Sequence, residues 1–375
     1  MNRTLLVLLS IALGCSQSSS ALDLGATDGS TEDGGPPDAW TAPDAGWPPT
    51  CTEPGAIVCG WRFDAPAIPI VAGDRGFYGV TLPELGPYDL HHLDAADPWG
   101  GLTPAGGVSE GEPWLIEMEG GLRAATFADG VLTLRDLTGE VVETLAIDAR
   151  YLLWVVGAGT EIVVERPGAR SGQYRYAVYR EGALQLETEE GPRIRLWPRA
   201  DGRPMVSRYD HESRAIVAGE LGVTPSALDT SACDAPLGEH ALLSLPEGGL
   251  AFAFRCRDDL HLTTRFAEGE TSSVIALGGI GQLALGHGPD GTLTLAATTE
   301  TDIRLLVVDA STHERVGEGE LFVPHSDEHM WPLFPSSLRL SAVRRDVFTM
   351  RSEGALPPFL YEPDVPMLAV CQLCD

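Results

Sequence analysis

The chain has 375 residues, and 43% of them are hydrophobic, which is enough apolar material for a substantial core. Its formal net charge of −29 gives a surface that repels nucleic acid and anionic lipid headgroups, so we exclude DNA and RNA as partners. All 25 basic residues are arginine, and the one asparagine is Asn2. Lysine and asparagine have A-rich codons, so this bias indicates a GC-rich genome, and we attach no function to the arginines on this evidence.

The first 14 residues are predicted to be an export signal. Arg3 supplies a positive start, and Thr4 to Leu13 form an apolar stretch of about ten residues, which is typical of a signal peptide and too short to span a bilayer. The next residues complete the segment Ala12-Leu13-Gly14-Cys15, which resembles the lipobox of bacterial lipoproteins. The resemblance implies that Gly14 is the last residue removed and that Cys15 becomes an acylated N-terminus. An ordinary secretory signal, cut for instance after Ala21, is the alternative.

This resemblance also predicts where the protein lies. No other segment approaches 18 uninterrupted apolar residues, so the lipid on Cys15 is the expected membrane anchor. In lipoproteins a serine after the cysteine permits sorting to the outer membrane, and Ser16 occupies that place. We expect a protein of the bacterial cell envelope, anchored to the outer rather than the inner membrane, with the leaflet left open.

Residues 15–50 are predicted to be the lipidated cysteine and a disordered acidic linker. After Cys15 the segment is rich in Ser, Gly, Pro, Asp and Ala, with five Asp, one Glu and no basic residue. Such a composition buries too little apolar surface to offset the entropy of ordering. A flexible linker of this length spans roughly 30–35 Å.

Residues 51–375 are predicted to be one all-β domain. Short segments of alternating polarity recur along it and indicate half-buried strands; they include 131–135, 174–178, 193–196, 260–263, 292–295 and 303–305. Asp129-Gly130 is a strong hairpin signal. Glycines at 159, 202, 248 and 291 each precede a strand, at intervals of 43, 46 and 43 residues.

A repeat near 44 residues with several short strands per unit is typical of β-propeller blades. The domain has room for about seven such blades, with six as an alternative. Each blade exposes apolar faces that its neighbours cover, and a closed ring needs no end caps. Two or three β-sandwich domains are the competing interpretation, but such domains would give a sequence repeat of about 100 residues. The whole resembles the poorly characterised propeller lipoproteins of GC-rich bacteria, a resemblance that implies a fold and a place but no activity.

Six cysteines remain once Cys15 is lipidated, and an even number in an exported protein favours three disulfides. The candidates are Cys51, Cys59, Cys233, Cys256, Cys371 and Cys374. A closed ring brings its termini together, so we favour bonds from the first two cysteines to the last two. Local pairs, one at each terminus, are the alternative. The other two cysteines are expected to pair between neighbouring repeat units.

Several short motifs carry possible chemistry. Gly107–Gly111 matches the G-x-S-x-G nucleophile elbow, but Pro113 and the strand-like residues after it do not form the helix that this motif requires. The C-x-x-C at Cys371 to Cys374 is either a redox or zinc motif or, as we favour here, a source of structural disulfides. His325 and His329 are candidate metal ligands, yet the flanking prolines favour a solvated loop. We predict no metal site, no cofactor and no catalytic residue.

The predicted function is that of a non-catalytic binding or scaffold protein of the cell envelope, which contacts a protein or glycan ligand through propeller loops. The alternative is an envelope hydrolase or lyase with its site at the propeller channel, where several carboxylates or histidines should converge. A structural tether that only fills space near the membrane is a third possibility.

Overall fold

A computed structural model describes residues 50–375 except 63–67, 73–75, 82–87, 109–112, 198–202, 211, 234–235, 246–247, 277–280, 289, 300–301, 323–333, 345–346 and 356–364. The predicted signal peptide and almost all of the predicted linker therefore lie outside the described residues. The chain divides into two units between Pro43 and Asp44, and every described residue belongs to the second unit. Within the described ranges, no helix is long and apolar enough to cross a membrane.

The described residues form 28 β-strands and no α-helix. In chain order the strands are β1 Ile57–Arg62, β2 Ile68–Ala72, β3 Gly76–Thr81, β4 Tyr88–Asp94, β5 Thr103–Val108, β6 Trp114–Met118, β7 Gly121–Ala128, β8 Val131–Arg135, β9 Val141–Ala146, β10 Trp154–Ala158, β11 Glu161–Pro167, β12 Tyr174–Arg180, β13 Ala183–Glu187, β14 Arg195–Trp197, β15 Met205–Asp210, β16 Ala215–Glu220, β17 Ser226–Ala227, β18 Pro236–Ser244, β19 Leu250–Cys256, β20 Asp259–Phe266, β21 Gly269–Ala276, β22 Leu283–His287, β23 Thr292–Thr298, β24 Asp302–Asp309, β25 Arg315–Phe322, β26 Phe334–Arg344, β27 Val347–Ala355 and β28 Val365–Leu373.

These strands form seven four-stranded antiparallel sheets, which we call blades. Blades 1 to 6 each contain four consecutive strands in chain order: β2–β5, β6–β9, β10–β13, β14–β17, β18–β21 and β22–β25. Blade 7 has the order β1-β28-β27-β26, so the first strand of the domain completes the last blade. The prediction of an all-β propeller with about seven blades is confirmed by this arrangement.

A hydrophobic cluster lies between each blade and the next, and together these clusters close the ring. Blades 1 and 2, 2 and 3, 3 and 4, 4 and 5, 5 and 6, and 6 and 7 each share one cluster. The seventh cluster joins Phe77 and Leu93 of blade 1 to Val370 of blade 7. Each fully buried aliphatic or aromatic side chain contributes about 1.5–3 kcal/mol to stability. Because every blade interface has such side chains, the stabilisation is distributed around the ring.

The turns explain why the repeat is visible in the sequence. Asp129 and Gly130 have φ values of 50° and 78°, the left-handed pair that a tight two-residue hairpin requires. Three of the repeat glycines, at 159, 248 and 291, lie between the first and second strands of blades 3, 5 and 6, and the fourth lies outside the described residues. The interval near 44 residues is therefore the distance from one blade to the next.

The two ends of the domain are joined in blade 7. β1 pairs with β28 along its whole length, and Cys59 lies opposite Cys371. Disulfides connect Cys59 to Cys371 and Cys51 to Cys374, so the structure has the cross-terminal pairing and not the local one. The chain closes its ring by strand pairing and by two covalent bonds.

The third disulfide joins Cys233, in the connection before β18, to Cys256 at the end of β19. Both cysteines belong to the cluster between blades 4 and 5. This bond therefore lies at a boundary between neighbouring repeat units, as the sequence analysis predicts.

Because consecutive strands run antiparallel, the ring has two faces with different loops. The face that we call the connection face has the loops from one blade to the next and the turns between second and third strands. The opposite face, the hairpin face, has the turns between first and second strands and between third and fourth strands.

Candidate functional site

The sequence motifs do not assemble a site in the described part of the chain. Cys15, His325 and His329 lie outside the described residues, as does Ser109 of the G-x-S-x-G motif. The cysteines of the C-x-x-C are both bonded to N-terminal cysteines, so they form neither a disulfide with each other nor a zinc site. Among the described residues, no three His, Cys, Asp or Glu side chains gather as metal ligands would.

The feature that stands out is an unusual distribution of arginine. Residues 150–214 contain 11 of the 25 arginines and nine acidic residues, a net charge of +2, whereas the rest of the chain carries −31. We call this segment, which includes blade 3 and the first two strands of blade 4, the arginine-rich sector. A potential that is positive here and negative elsewhere attracts anionic groups to one part of the ring.

On the connection face, the sector is organised around Glu165, whose side chain is 3% exposed. Arg193 Nε lies 2.9 Å from Glu165 Oε1, and the Arg193 guanidinium carbon lies 5.6 Å from the centre of the Tyr174 ring. The phenol of Tyr176 accepts a hydrogen bond of 3.1 Å from the Ile194 amide and so fixes the backbone beside Arg193. A buried carboxylate, an aromatic ring and a fixed backbone therefore hold one exposed guanidinium in place.

Burial governs the ionisation of this group. Desolvation raises the pKa of Glu165, and the Arg193 guanidinium partly offsets the effect. Desolvation also raises the pKa of Tyr176 to about 12, so its hydroxyl stays protonated and remains able to donate. The ion pair therefore joins a buried carboxylate to a guanidinium that is 58% exposed, so solvent still screens part of the interaction.

Further out on blade 3, a second group of charges is balanced. Arg175 Nη2 lies 2.7 Å from Glu190 Oε1, and Arg175 Nη1 lies 3.7 Å from Glu187. Glu187 also pairs with the buried Arg166. A hydrogen bond from the Ala169 amide and the pair with Arg175 lower the pKa of Glu190. Two arginines face two glutamates here, so this group adds little net charge.

On the hairpin face, Glu161 is the centre of a third group. Its carboxylate is 1% exposed, and it contacts Arg180 of blade 3 at 2.6 Å and Arg203 of blade 4 at 3.6 Å. Glu161 begins β11, Arg180 ends β12, and Arg203 lies between β14 and β15. The topology therefore brings together residues that are 19 and 42 positions from Glu161 in the sequence.

A serine and a histidine also meet at the boundary between blades 4 and 5, but they are buried. The Ser207 hydroxyl lies 2.8 Å from His240 Nε2, and Trp197 Nε1 donates to the same hydroxyl at 2.7 Å. Both Ser207 and His240 are 1% exposed. A nucleophile must reach its substrate, so we interpret this group as an inter-blade hydrogen-bond network.

Sequence reasoning missed the buried charges, although one signal for them was present. Arginine occurs about once in 15 residues over the whole chain and about once in six within the sector. The overall codon bias hides this local density when only the total is considered. The partners of each arginine depend on pairing between strands and blades, which no local pattern in the sequence specifies.

Comparison with known proteins supplies no family. No protein-family model and no curated protein matches the chain. Similar solved structures include Hsv2 from Kluyvelomyces marxianus, at 9% identity and a TM-score of 0.45, covering 77% of this chain and 93% of that one. The β-propeller domain of the Trilobed protease from Pyrococcus furiosus has 12% identity and a TM-score of 0.45, and the match covers 66% of this chain and 83% of that one. A protein of unknown function from Dyadobacter fermentans has 12% identity and a TM-score of 0.37, and the match covers 81% of this chain and 97% of that one. Such distant likeness carries no argument about ligands.

Proposed function

We propose that this chain is an exported, lipid-anchored binding protein of the bacterial cell envelope, which takes its ligand on the arginine-rich sector and has no catalytic role. The observation that carries the proposal is the charge contrast between this sector, at +2, and the remaining chain, at −31. Arginines held over buried glutamates have restricted side chains, so they lose less conformational freedom when a ligand binds.

Retention of an envelope ligand by the purified full chain tests the binding function. We expect Arg193→Gln, on the connection face, or Arg203→Gln, on the hairpin face, to weaken retention of the ligand from envelope extracts at least tenfold. Arg265→Gln of blade 5 is the matched control, because Arg265 is 60% exposed and paired with Glu270 at 2.7 Å, much as the 58% exposed Arg193 is paired. If all three variants bind as the parent does, the sector is not the ligand surface.

The anchor is a separate part of the proposal. It is supported by the apolar segment before Gly14-Cys15 and by the even number of cysteines that remains when Cys15 is lipidated. Metabolic labelling with a palmitate analogue should label the parent protein in the membrane fraction, and Cys15→Ala should lose the label. Label that persists in the alanine variant contradicts the anchor but leaves the binding surface untouched.

One observation favours the alternative, an envelope hydrolase or lyase. Glu117 lies on β6, the first strand of blade 2; its side chain is exposed, and partial desolvation raises the pKa of its carboxyl, the direction that a general acid requires. Glycoside hydrolysis needs a second carboxyl within about 5–10 Å, and no described contact brings one to Glu117. Degradation of envelope polysaccharide by the parent, lost in Glu117→Gln, would replace the binding proposal with this one.

A further inference from the structure

One buried carboxylate of the sector lies between two guanidinium groups. Glu161 Oε1 lies 2.6 Å from Arg180 Nη2, and Glu161 Oε2 lies 3.6 Å from Arg203 Nε. A carboxylate that is 1% exposed must be compensated by a cation, because its own charge is costly to remove from water. One guanidinium neutralises the carboxylate charge, so with the second the group has a net charge of +1.

The other ion pairs of the described residues are balanced or acidic. Glu187 also has two arginines, Arg166 and Arg175, but Arg175 pairs in turn with Glu190. Arg304 lies between two acids, Asp302 and Glu320. The group of Arg180, Glu161 and Arg203 thus differs from them in its net charge of +1.

Both arginines of this group are open to solvent. The Arg180 side chain is 50% exposed and that of Arg203 is 32% exposed, while the glutamate beneath them is covered. Apart from the N–H groups that face Glu161, their guanidinium groups have no hydrogen-bond partner among the residues that the structure describes. Arginine presents its N–H groups in a planar fork, which suits the oxygen atoms of carboxylate, sulfate and phosphate groups.

We propose that Arg180 and Arg203, oriented by Glu161, form a subsite for an oxyanion group at the boundary of blades 3 and 4 on the hairpin face. This proposal rests on the proposed binding function, because it names the chemistry of the ligand. The ligand is a molecule with a small number of oxyanion groups, since a long polyanion would meet the negative charge of the rest of the ring. Carboxylate and sulfate groups of a glycan and phosphate groups of a lipid or a free metabolite share this chemistry.

Inorganic sulfate, inorganic phosphate and acetate are the probes, added to the full chain in neutral detergent at constant ionic strength. A site that binds only the folded state raises Tm by about 2 °C when the anion is at ten times its dissociation constant. We expect this rise in the parent and its loss in Arg180→Gln and Arg203→Gln. Arg180→Lys keeps the charge and the contact with Glu161 but not the fork, so it should retain a reduced rise. The anion that gives the largest rise identifies the preferred group.

Arg175→Gln is the control, because it removes one positive charge from the same blade at a half-exposed arginine whose partners are balanced. Sulfate stabilises most proteins by being excluded from their surface, and this effect is equal in all variants. A rise that persists in Arg180→Gln and Arg203→Gln, or that disappears equally in Arg175→Gln, overturns the subsite.

The same variants are then compared for retention of the envelope ligand. Loss of retention in Arg203→Gln together with loss of the anion effect supports the proposal. If the parent retains an envelope ligand and Arg203→Gln retains it equally, the binding function stands and the oxyanion subsite as its ligand site is rejected. If the anion effect depends on Arg180 and Arg203 but no envelope ligand is retained by the parent, the subsite stands and the proposed function fails.

Discussion

A single histidine connects blades 5 and 6 through both of its ring nitrogens. His313 Nε2 lies 2.8 Å from the Thr264 hydroxyl, and His313 Nδ1 lies 2.9 Å from the Ser273 hydroxyl. The turn before it is fixed by Asp309, which accepts hydrogen bonds from Ser311 and Thr312. His313 itself has a φ of 60°, so a polar side chain in a left-handed conformation serves as an inter-blade link.

This link should make stability depend on pH. Burial lowers the pKa of His313 below its ordinary value of 6.5, and Asp309 opposes the effect. The unfolded chain therefore binds a proton more readily than the folded one below about pH 6.5, and the contribution of His313 to stability falls as the pH decreases from there. One such group changes the free energy of unfolding by at most about 1.4 kcal/mol per pH unit. Denaturant unfolding between pH 7.5 and pH 5 should show a smaller pH slope in His313→Asn.

The matched control removes an inter-blade hydrogen bond that has no titrating group. Thr271 Oγ1 donates to the Ser311 carbonyl at 2.7 Å across the same boundary. Thr271→Val should lower stability by about 0.5–1.5 kcal/mol at every pH and keep the parent slope. Equal slopes in the parent and in His313→Asn would show that His313 does not titrate across this range.

At the scale of the strand, the contact between blades 6 and 7 depends on glycine. β25 of blade 6 runs beside the start of β1, and the Glu318 amide donates to the Gly55 carbonyl at 3.0 Å. A Cβ atom at Gly319 would lie 2.4 Å from the Ile57 carbonyl oxygen and 2.8 Å from the Ile57 Cβ. Backbone therefore approaches backbone here, and the strands must separate to admit any side chain.

Gly319→Val should consequently destabilise the domain. Overpacking of a tight site costs about 1–3 kcal/mol. Because the neighbours of Gly319 are rigid backbone atoms, we expect a cost at the upper end of this range. The control is Gly101→Val, since nothing lies within 4 Å of a Cβ atom there. Urea unfolding should move to a lower midpoint in the first variant and stay within error of the parent in the second. A parental midpoint in Gly319→Val would mean that β25 and β1 can move apart freely.

The strands were predictable where the sequence is locally consistent. Residues 131–135 alternate after an Asp-Gly turn, and they form β8 with an alternating burial pattern. Short strands were harder to predict: β17 has two residues, and its existence depends on pairing with β16. Strand boundaries follow tertiary pairing, which local propensity does not contain.

At the scale of the whole molecule, the ring was predictable from its period, and the ion pairs of the arginine-rich sector were not. A constant blade interval appears directly in the sequence as spaced glycines, whereas the ion pairs of the arginine-rich sector join residues from different strands and blades. The cross-terminal pairing of the cysteines was inferred from the closed ring, which brings both ends of the domain together. The register that places Cys59 opposite Cys371 supplies its physical basis.

The two terminal disulfides should act together, and this is the strongest test of the closed ring. Each alone closes a loop of more than 300 residues, with sequence separations of 323 and 312, and contributes about 5–6 kcal/mol by chain entropy. Once one is present, the other closes only the short segments between the paired cysteines and contributes about 3 kcal/mol.

Replacing Cys51 and Cys374 by alanine, or Cys59 and Cys371, should therefore cost about 3 kcal/mol, and replacing all four should cost about 9 kcal/mol. The bond between Cys233 and Cys256, with a separation of 23, is the control, because its removal should add to either pair without coupling. Denaturant unfolding under non-reducing conditions measures the excess, and strictly additive costs for the two terminal bonds would contradict this chain-entropy coupling.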